Sequence, residues 1–236
     1  MQLRVSRRNA LILSAAAPAA AVAGCSQSET KGKAGEDKDI SAVEDLMREH
    51  GVLRRILVVY REAARSLPTS VATFDAGALA QAADLFRLFG EDYHERRLEE
   101  QHIFPTLQRL GGPAASLVPT LLAQHQRGRE LTAYIRSRCA GGRVSASDAT
   151  PLSTALETFA RMYEAHTAFE DTIAFQAWEK GLSGKQLDQA GDEFEKIERE
   201  QFKGDGFDMA VAQIGDIERR LGLSDLARYT APPAPG

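Results

Sequence analysis

The sequence predicts an all-α fold: an antiparallel up-down four-helix bundle with a helical C-terminal extension. Three observations predict it. Apolar residues recur at three- and four-residue intervals through four long stretches. Short breaks rich in Gly, Pro or Ser separate those stretches, as expected where consecutive helices run antiparallel. No stretch shows the strict apolar–polar alternation of a strand.

The first helix is expected over about 41–67. Leu46, Leu53, Ile56, Leu57 and Tyr60 share its apolar face, and Pro68 ends it. Ser41 with Glu44 three residues on forms a capping box at its start. The second helix is expected over 76–110, with Leu85, Phe86, Phe89, Tyr93, Phe104 and Leu107 facing the core. Pro105 kinks it or starts a fresh turn, and Gly111-Gly112-Pro113 stops it. The third runs over about 115–139 and closes at Gly141-Gly142. A loop over 143–151 leads to the fourth, about 152–180, which Gly181 and Gly184 break. Residues 41–180 thus make the bundle. The extension, 181–229, adds a charged helix over 185–202, a Gly204-Asp205-Gly206 turn and a helix over 207–221. The tail 230–236, TAPPAPG, is expected to be disordered.

The first 24 residues read as a signal peptide rather than as fold. Arg4, Arg7 and Arg8 precede an apolar run from Ala10 to Gly24, too short to span a bilayer as a stable helix. Ser6-Arg7-Arg8 reads as a twin-arginine export signal. Val22-Ala23-Gly24-Cys25 resembles a lipobox, which makes Cys25 the lipidation site; the plainer alternative is an ordinary signal peptide with an incidental cysteine. Residues 25–40 are polar and form a flexible tether. The expected location is the periplasm, or the membrane surface of a bacterium through a lipid on Cys25.

Loss of the leader removes three arginines and no acid, leaving 26 basic against 33 acidic residues. A mildly acidic chain without a clustered basic face argues against nucleic-acid binding. Beyond Cys25 the only cysteine is Cys139, so no internal disulfide framework or multi-cysteine metal site can form. A transition-metal site must use histidine and carboxylate, which favours iron or manganese and allows zinc.

The five histidines are His50, His94, His102, His125 and His166, and every expected bundle helix carries at least one. Counting 1.5 Å per residue puts His50, His94, His125 and His166 at compatible heights if the helices alternate in direction. Singly, each reads more readily as a structural or exposed histidine; together they fit a metal site in a bundle core. His166 and Glu170 are four residues apart, about 40° on a helix, so both can address one atom; Asp171 competes for that role. His94 and Glu99 are five apart, about 140° on an ideal α-helix, and need a π-type insertion near residues 96–98 to share a face. Glu95, Arg96 and Arg97 are expected on the solvated face.

Four segments carry a family resemblance: DLMREHGVLRR at 45–55, EDYHERRLEEQHIFP at 91–105, LLAQHQRGREL at 121–131 and MYEAHTAFEDTIAF at 162–175. Together they resemble the hemerythrin-like, HHE cation-binding proteins, and specifically an exported bacterial branch. The resemblance implies a non-haem di-iron centre of two iron ions, with manganese or zinc as lesser alternatives. It implies His50, His94, His125 and His166 as histidine ligands, with Glu99 and Glu170 as bridging carboxylates. Glu95 or Glu100 can substitute for Glu99, and His102 can add a ligand. The third segment has one histidine where oxygen-carrying members have two, which implies an open or water-filled position. The expected ligand is O2, NO or peroxide, in sensing or in iron and redox stress handling. The alternatives are a di-iron oxidase, peroxidase or iron-donating repair protein, and a metal-stabilised interaction module.

Overall fold

The computed structural model describes residues 40–235. The expected signal peptide, Cys25 and most of the tether lie outside them. From Ser41 onward the chain makes one compact unit of six helices, with no strand among the described residues. None of these helices is long and apolar enough to cross a membrane.

Helix α1 spans Ala42–Ser70, and the Ser41 hydroxyl accepts from Glu44 N at 3.1 Å, as the capping box predicts. It continues past Pro68, contrary to the expected stop. A proline inside a helix strands the carbonyl four residues back. Here that carbonyl is Ala64 O, and Ser153 Oγ donates to it at 2.6 Å. The helix therefore survives its proline because a neighbour satisfies the orphaned acceptor.

Helix α2 covers 76–110 in three parts: an α-helical start at Ala76–Leu85, a π-wound segment at Phe86–Ile103 and an α-helical end at Phe104–Leu110. Pro105 sits in the first turn of the last part, where its missing N–H is tolerated. Helix α3 is Gly112–Arg138, starting three residues earlier than expected. Helix α4 covers 146–180: Ala146–Phe169, a π turn at Glu170–Ala174 and Phe175–Lys180. Its start corrects the expected loop over 143–151. Ser145 accepts from Asp148 N at 3.1 Å and caps the helix, and Pro151 falls inside it. Helix α5 is Gly184–Phe202 and α6 is Gly206–Leu221, joined through Lys203 in the left-handed region. A 3-10 turn at Leu226–Tyr229 follows, which periodicity did not suggest.

Residue pairs run in opposite senses along neighbouring helices. Between α1 and α4, His50 meets Asp171, Arg61 meets Glu164 and Ala64 meets Ser153. Between α2 and α3, Asp84 meets Arg136 and Glu100 meets Arg129 and His125. The interior between them is apolar and aromatic: Phe159 meets Tyr60 and Phe86 edge to face and stacks on Tyr163, and Tyr163 meets Phe86 edge to face, with centroids 4.7–5.1 Å apart. Helix α5 closes one side, with Phe202 against Phe89 and Tyr93, and Phe194 against Trp178. Helix α6 is tied down by Arg55 Nε donating to Glu218 at 2.8 Å and Arg220 bridging to Asp75 at 2.9 Å.

Candidate metal centre

His50, His94, His125 and His166 come from four different helices and converge in one buried chamber. They form two pairs. The Nε2 atoms of His50 and His94 are 3.0 Å apart, and those of His125 and His166 are 3.2 Å apart. Every outer nitrogen has a partner. His50 Nδ1 donates to Asp171 at 2.7 Å, His94 Nδ1 to Glu49 at 2.7 Å, His125 Nδ1 to Glu100 at 2.9 Å and His166 Nδ1 to the Gln124 carbonyl oxygen at 2.9 Å. An ionised carboxylate or an amide oxygen can only accept, so each Nδ1 carries the proton. In the neutral ring this leaves an Nε2 lone pair facing inward on all four histidines.

Two carboxylates lie between the pairs. Glu99 is 3.4 Å from His94 Nε2 and 3.2 Å from His125 Nε2. Glu170 is 3.0 Å from His166 Nε2 and 3.6 Å from His50 Nε2. Each therefore faces one histidine of either pair. All four oxygens of Glu99 and Glu170 are buried without a hydrogen-bond partner. Orphaned buried carboxylates are costly unless a cation meets them. Two groups of donor atoms lie within 4.8 Å of one another: His50, His94 and Glu99, and Glu99, His125, His166 and Glu170. Two inward pairs of imidazole nitrogens and two partnerless carboxylates fit a pair of divalent ions.

Helix winding explains how the donors meet. Glu99 is five residues from His94, and the π winding of Phe86–Ile103, with its bonds five residues apart, stacks them. The π segment extends well beyond the single expected insertion. On α4, His166 and Glu170 meet across an ordinary α turn, and the π winding begins at Glu170 itself.

Burial and neighbouring charge pull the clustered groups in opposite directions. Burial drives His94 down, but Glu99 and Glu49 hold it well above the usual imidazole range. Burial also opposes charge on His125, and Glu95, Glu100 and Glu99 raise it. Burial would lift Glu99, yet the histidines beside it hold it well below the carboxylate range. Burial and the Glu99 charge push Glu170 well above that range. Burial and the neighbouring His125 push His166 down to about 4.

The remaining candidates occupy other places. Asp171 and Glu100 face the outer nitrogens of His50 and His125, not the chamber. Arg54 donates to Asp171, and Arg129 donates to Glu100. Glu95 overturns its assignment to the solvated face: it is 1% exposed. Tyr163 Oη donates to it at 2.7 Å and Arg129 at 3.3 Å, and these donors make its burial tolerable. Glu95, Glu100 and His125 also lie close enough to hold an ion, but the Arg129 guanidinium already contacts both carboxylates. His102 stands apart, its ring edge-on to Phe194 at 5.6 Å. Arg96 is exposed as expected and pairs with Asp92, while Arg97 is half-buried toward Glu200.

Sequence reasoning missed Glu49, Gln124, Tyr93 and Arg129. Tyr93 Oη donates to Glu49 at 2.9 Å, so Glu49 links that phenol to His94. Glu49 and Gln124 each directly precede a histidine in sequence, the only signal they left.

The chain matches the Hemerythrin HHE cation binding domain over residues 41–178. It is 37% identical over 235 residues to uncharacterized proteins of Mycobacterium bovis and of two strains of Mycobacterium tuberculosis, covering 96% of this chain and 91% of each relative. No solved structure matches it. The chain, with clustered histidines and glutamates able to hold metal, belongs to the hemerythrin HHE cation-binding family.

Proposed function

We propose that this protein holds a non-haem di-iron centre and uses it to bind or react with a small ligand, O2, NO or peroxide. One observation carries the reading: Glu99 and Glu170, buried with no hydrogen bond to their oxygens, each face one histidine of both pairs. In this reading His50 and His94 would hold one ion and His125 and His166 the other, with Glu99 and Glu170 supplying carboxylate oxygens that face both pairs. The helices bearing them form an antiparallel up-down bundle, supported by the opposed residue pairings of α1 with α4 and of α2 with α3. A donor set of imidazole and carboxylate without thiolate suits iron, and less well manganese or zinc.

When bound, such a centre supplies redox-active Lewis-acid positions at which a small molecule can be held or reduced. The chain's own residues do the rest. Asp171, Glu49, Glu100 and Gln124 fix the four rings in the tautomer that presents Nε2. Phe175 stacks on His50 at 5.3 Å and Phe104 on His125 at 5.5 Å, keeping the chamber apolar around its donors. The protein is exported, in the periplasm or held at the membrane by a lipid on Cys25, and the folded, loaded chain travels the twin-arginine route.

The reduced, iron-loaded protein exposed to O2 or NO tests this. A reversible change in visible absorption marks a ligand-binding protein. Irreversible turnover with peroxide release or consumption marks the di-iron oxidase or peroxidase instead. No spectral response to O2, NO or peroxide contradicts both and leaves a metal-stabilised interaction module.

A further inference from the structure

The two histidine pairs are supported unequally, and this inference rests on the two-ion reading above. On the His50/His94 side both outer nitrogens donate to carboxylates, Asp171 and Glu49, at 2.7 Å each. On the other side His125 donates to Glu100, but His166 donates to Gln124, a neutral amide, at 2.9 Å. The neighbouring cations sharpen the contrast. Arg129 draws on both Glu100 and Glu95, and its side chain is only 16% exposed, so solvent screens it little. Arg54, the partner of Asp171, is 44% exposed and better screened.

These differences act on the inward nitrogens. An Nδ1–H held by an anionic acceptor makes the opposite Nε2 a stronger metal donor, and an amide acceptor does so less. Glu99 and Glu170 reach both pairs. The contacts to His125 and His166 are the shorter ones, at 3.2 and 3.0 Å. The group of four clustered donors also lies at the second position, against three at the first, so the inner donors favour the second position and the outer partners favour the first. The outer partners are the elements that belong to one position alone.

We infer that the two ion positions are inequivalent by construction. The His50/His94 position binds a divalent cation first and more tightly. The His125/His166 position is the exchangeable one, and Gln124 sets the difference. Gln124 is a positioning residue: it acts through His166 and touches no ion.

Cobalt(II) titration of the full chain after chelator treatment tests this through its visible absorption, with a competing chelator to set the affinities. The wild type takes up about two ions per chain in two resolved steps, about tenfold or more apart. Gln124→Glu gives His166 an anionic partner, tightens the second step and brings it toward the first. Glu49→Gln, nearly isosteric, weakens the first step by about 10- to 100-fold, more than it weakens the second. Two ions bound in one unresolved step, or a Gln124→Glu variant with an unchanged second step, overturns the inference while the two-ion reading stands. Uptake of one ion or none in the wild type overturns the two-ion reading itself, and the inference with it.

Discussion

His50, His94, His125 and His166 were legible as a set because a histidine on each of four helices is hard to explain otherwise, and Glu170 followed from its spacing. Their supports were not. Glu49, Glu95 and Glu100 are written in the same letters as a solvated helix face, and only packing reveals that the first two are buried. Glu95 shows why: its place inside depends on Tyr163 and Arg129, which come from other helices. Glu91 is a further buried acid, one turn along α2 and near Thr132 and Arg87. Burial pushes its carboxyl from the usual 4.5 up to about 7. The folded chain therefore holds this proton where the unfolded chain has lost it. Stability from this group is complete below about pH 4.5 and falls as the pH rises to about 7. Glu91→Gln removes that loss. Urea midpoints at pH 5 and pH 8 check it: relative to wild type, the variant should gain up to ~3 kcal/mol across the interval. An equal difference at both pH values would show that Glu91 does not titrate there.

Among the helices, caps and glycine breaks placed most boundaries, because those signals are local. The boundaries that differ are at Pro68, at the start of α3 and at 146–151. Pro68 is tolerated only because Ser153, on a distant helix, satisfies Ala64 O, and no local signal carries that. The π winding of α2 was foreseen as one insertion from the His94–Glu99 gap, while its length over Phe86–Ile103 was not. The meeting of α3 with α4 gives a test at this scale. A Cβ on Gly128 would sit 2.0 Å from Tyr163 Oη, so only glycine lets α4 seat that phenol against Glu95. Alanine is the better helix former by about 1 kcal/mol. Displacing a packed ring and its buried hydrogen bond costs more, so Gly128→Ala should destabilise the protein by about 1–3 kcal/mol net. Thermal or urea unfolding decides this, and a stabilised variant would mean the ring shifts freely.

At the scale of the molecule, all-helical character followed directly from periodicity. How the extension packs did not, because a charged amphipathic helix reads alike whether it caps a bundle or awaits a partner. Here Phe194 and Phe202 of α5 cover Trp178, Phe89 and Tyr93, and α6 buries Ala210, Ile214 and Ile217. A chain ending at Leu182 should therefore expose that aromatic surface, bind a hydrophobic dye and unfold at lower urea. An unchanged urea midpoint would make the extension a separate appendage. Tyr93 also links this cover to the chamber through Glu49 and His94, so the same truncation should loosen metal.

The proposed centre has four histidines and two glutamates holding two iron ions. Elemental analysis of protein purified from iron-replete cells tests it most directly. The expected result is about two iron ions per chain, lost in His50→Ala and in His166→Ala, and retained in His102→Ala, whose ring faces Phe194 instead of the clustered donors. One equivalent of zinc with no iron, or iron that survives the loss of His166, would contradict it.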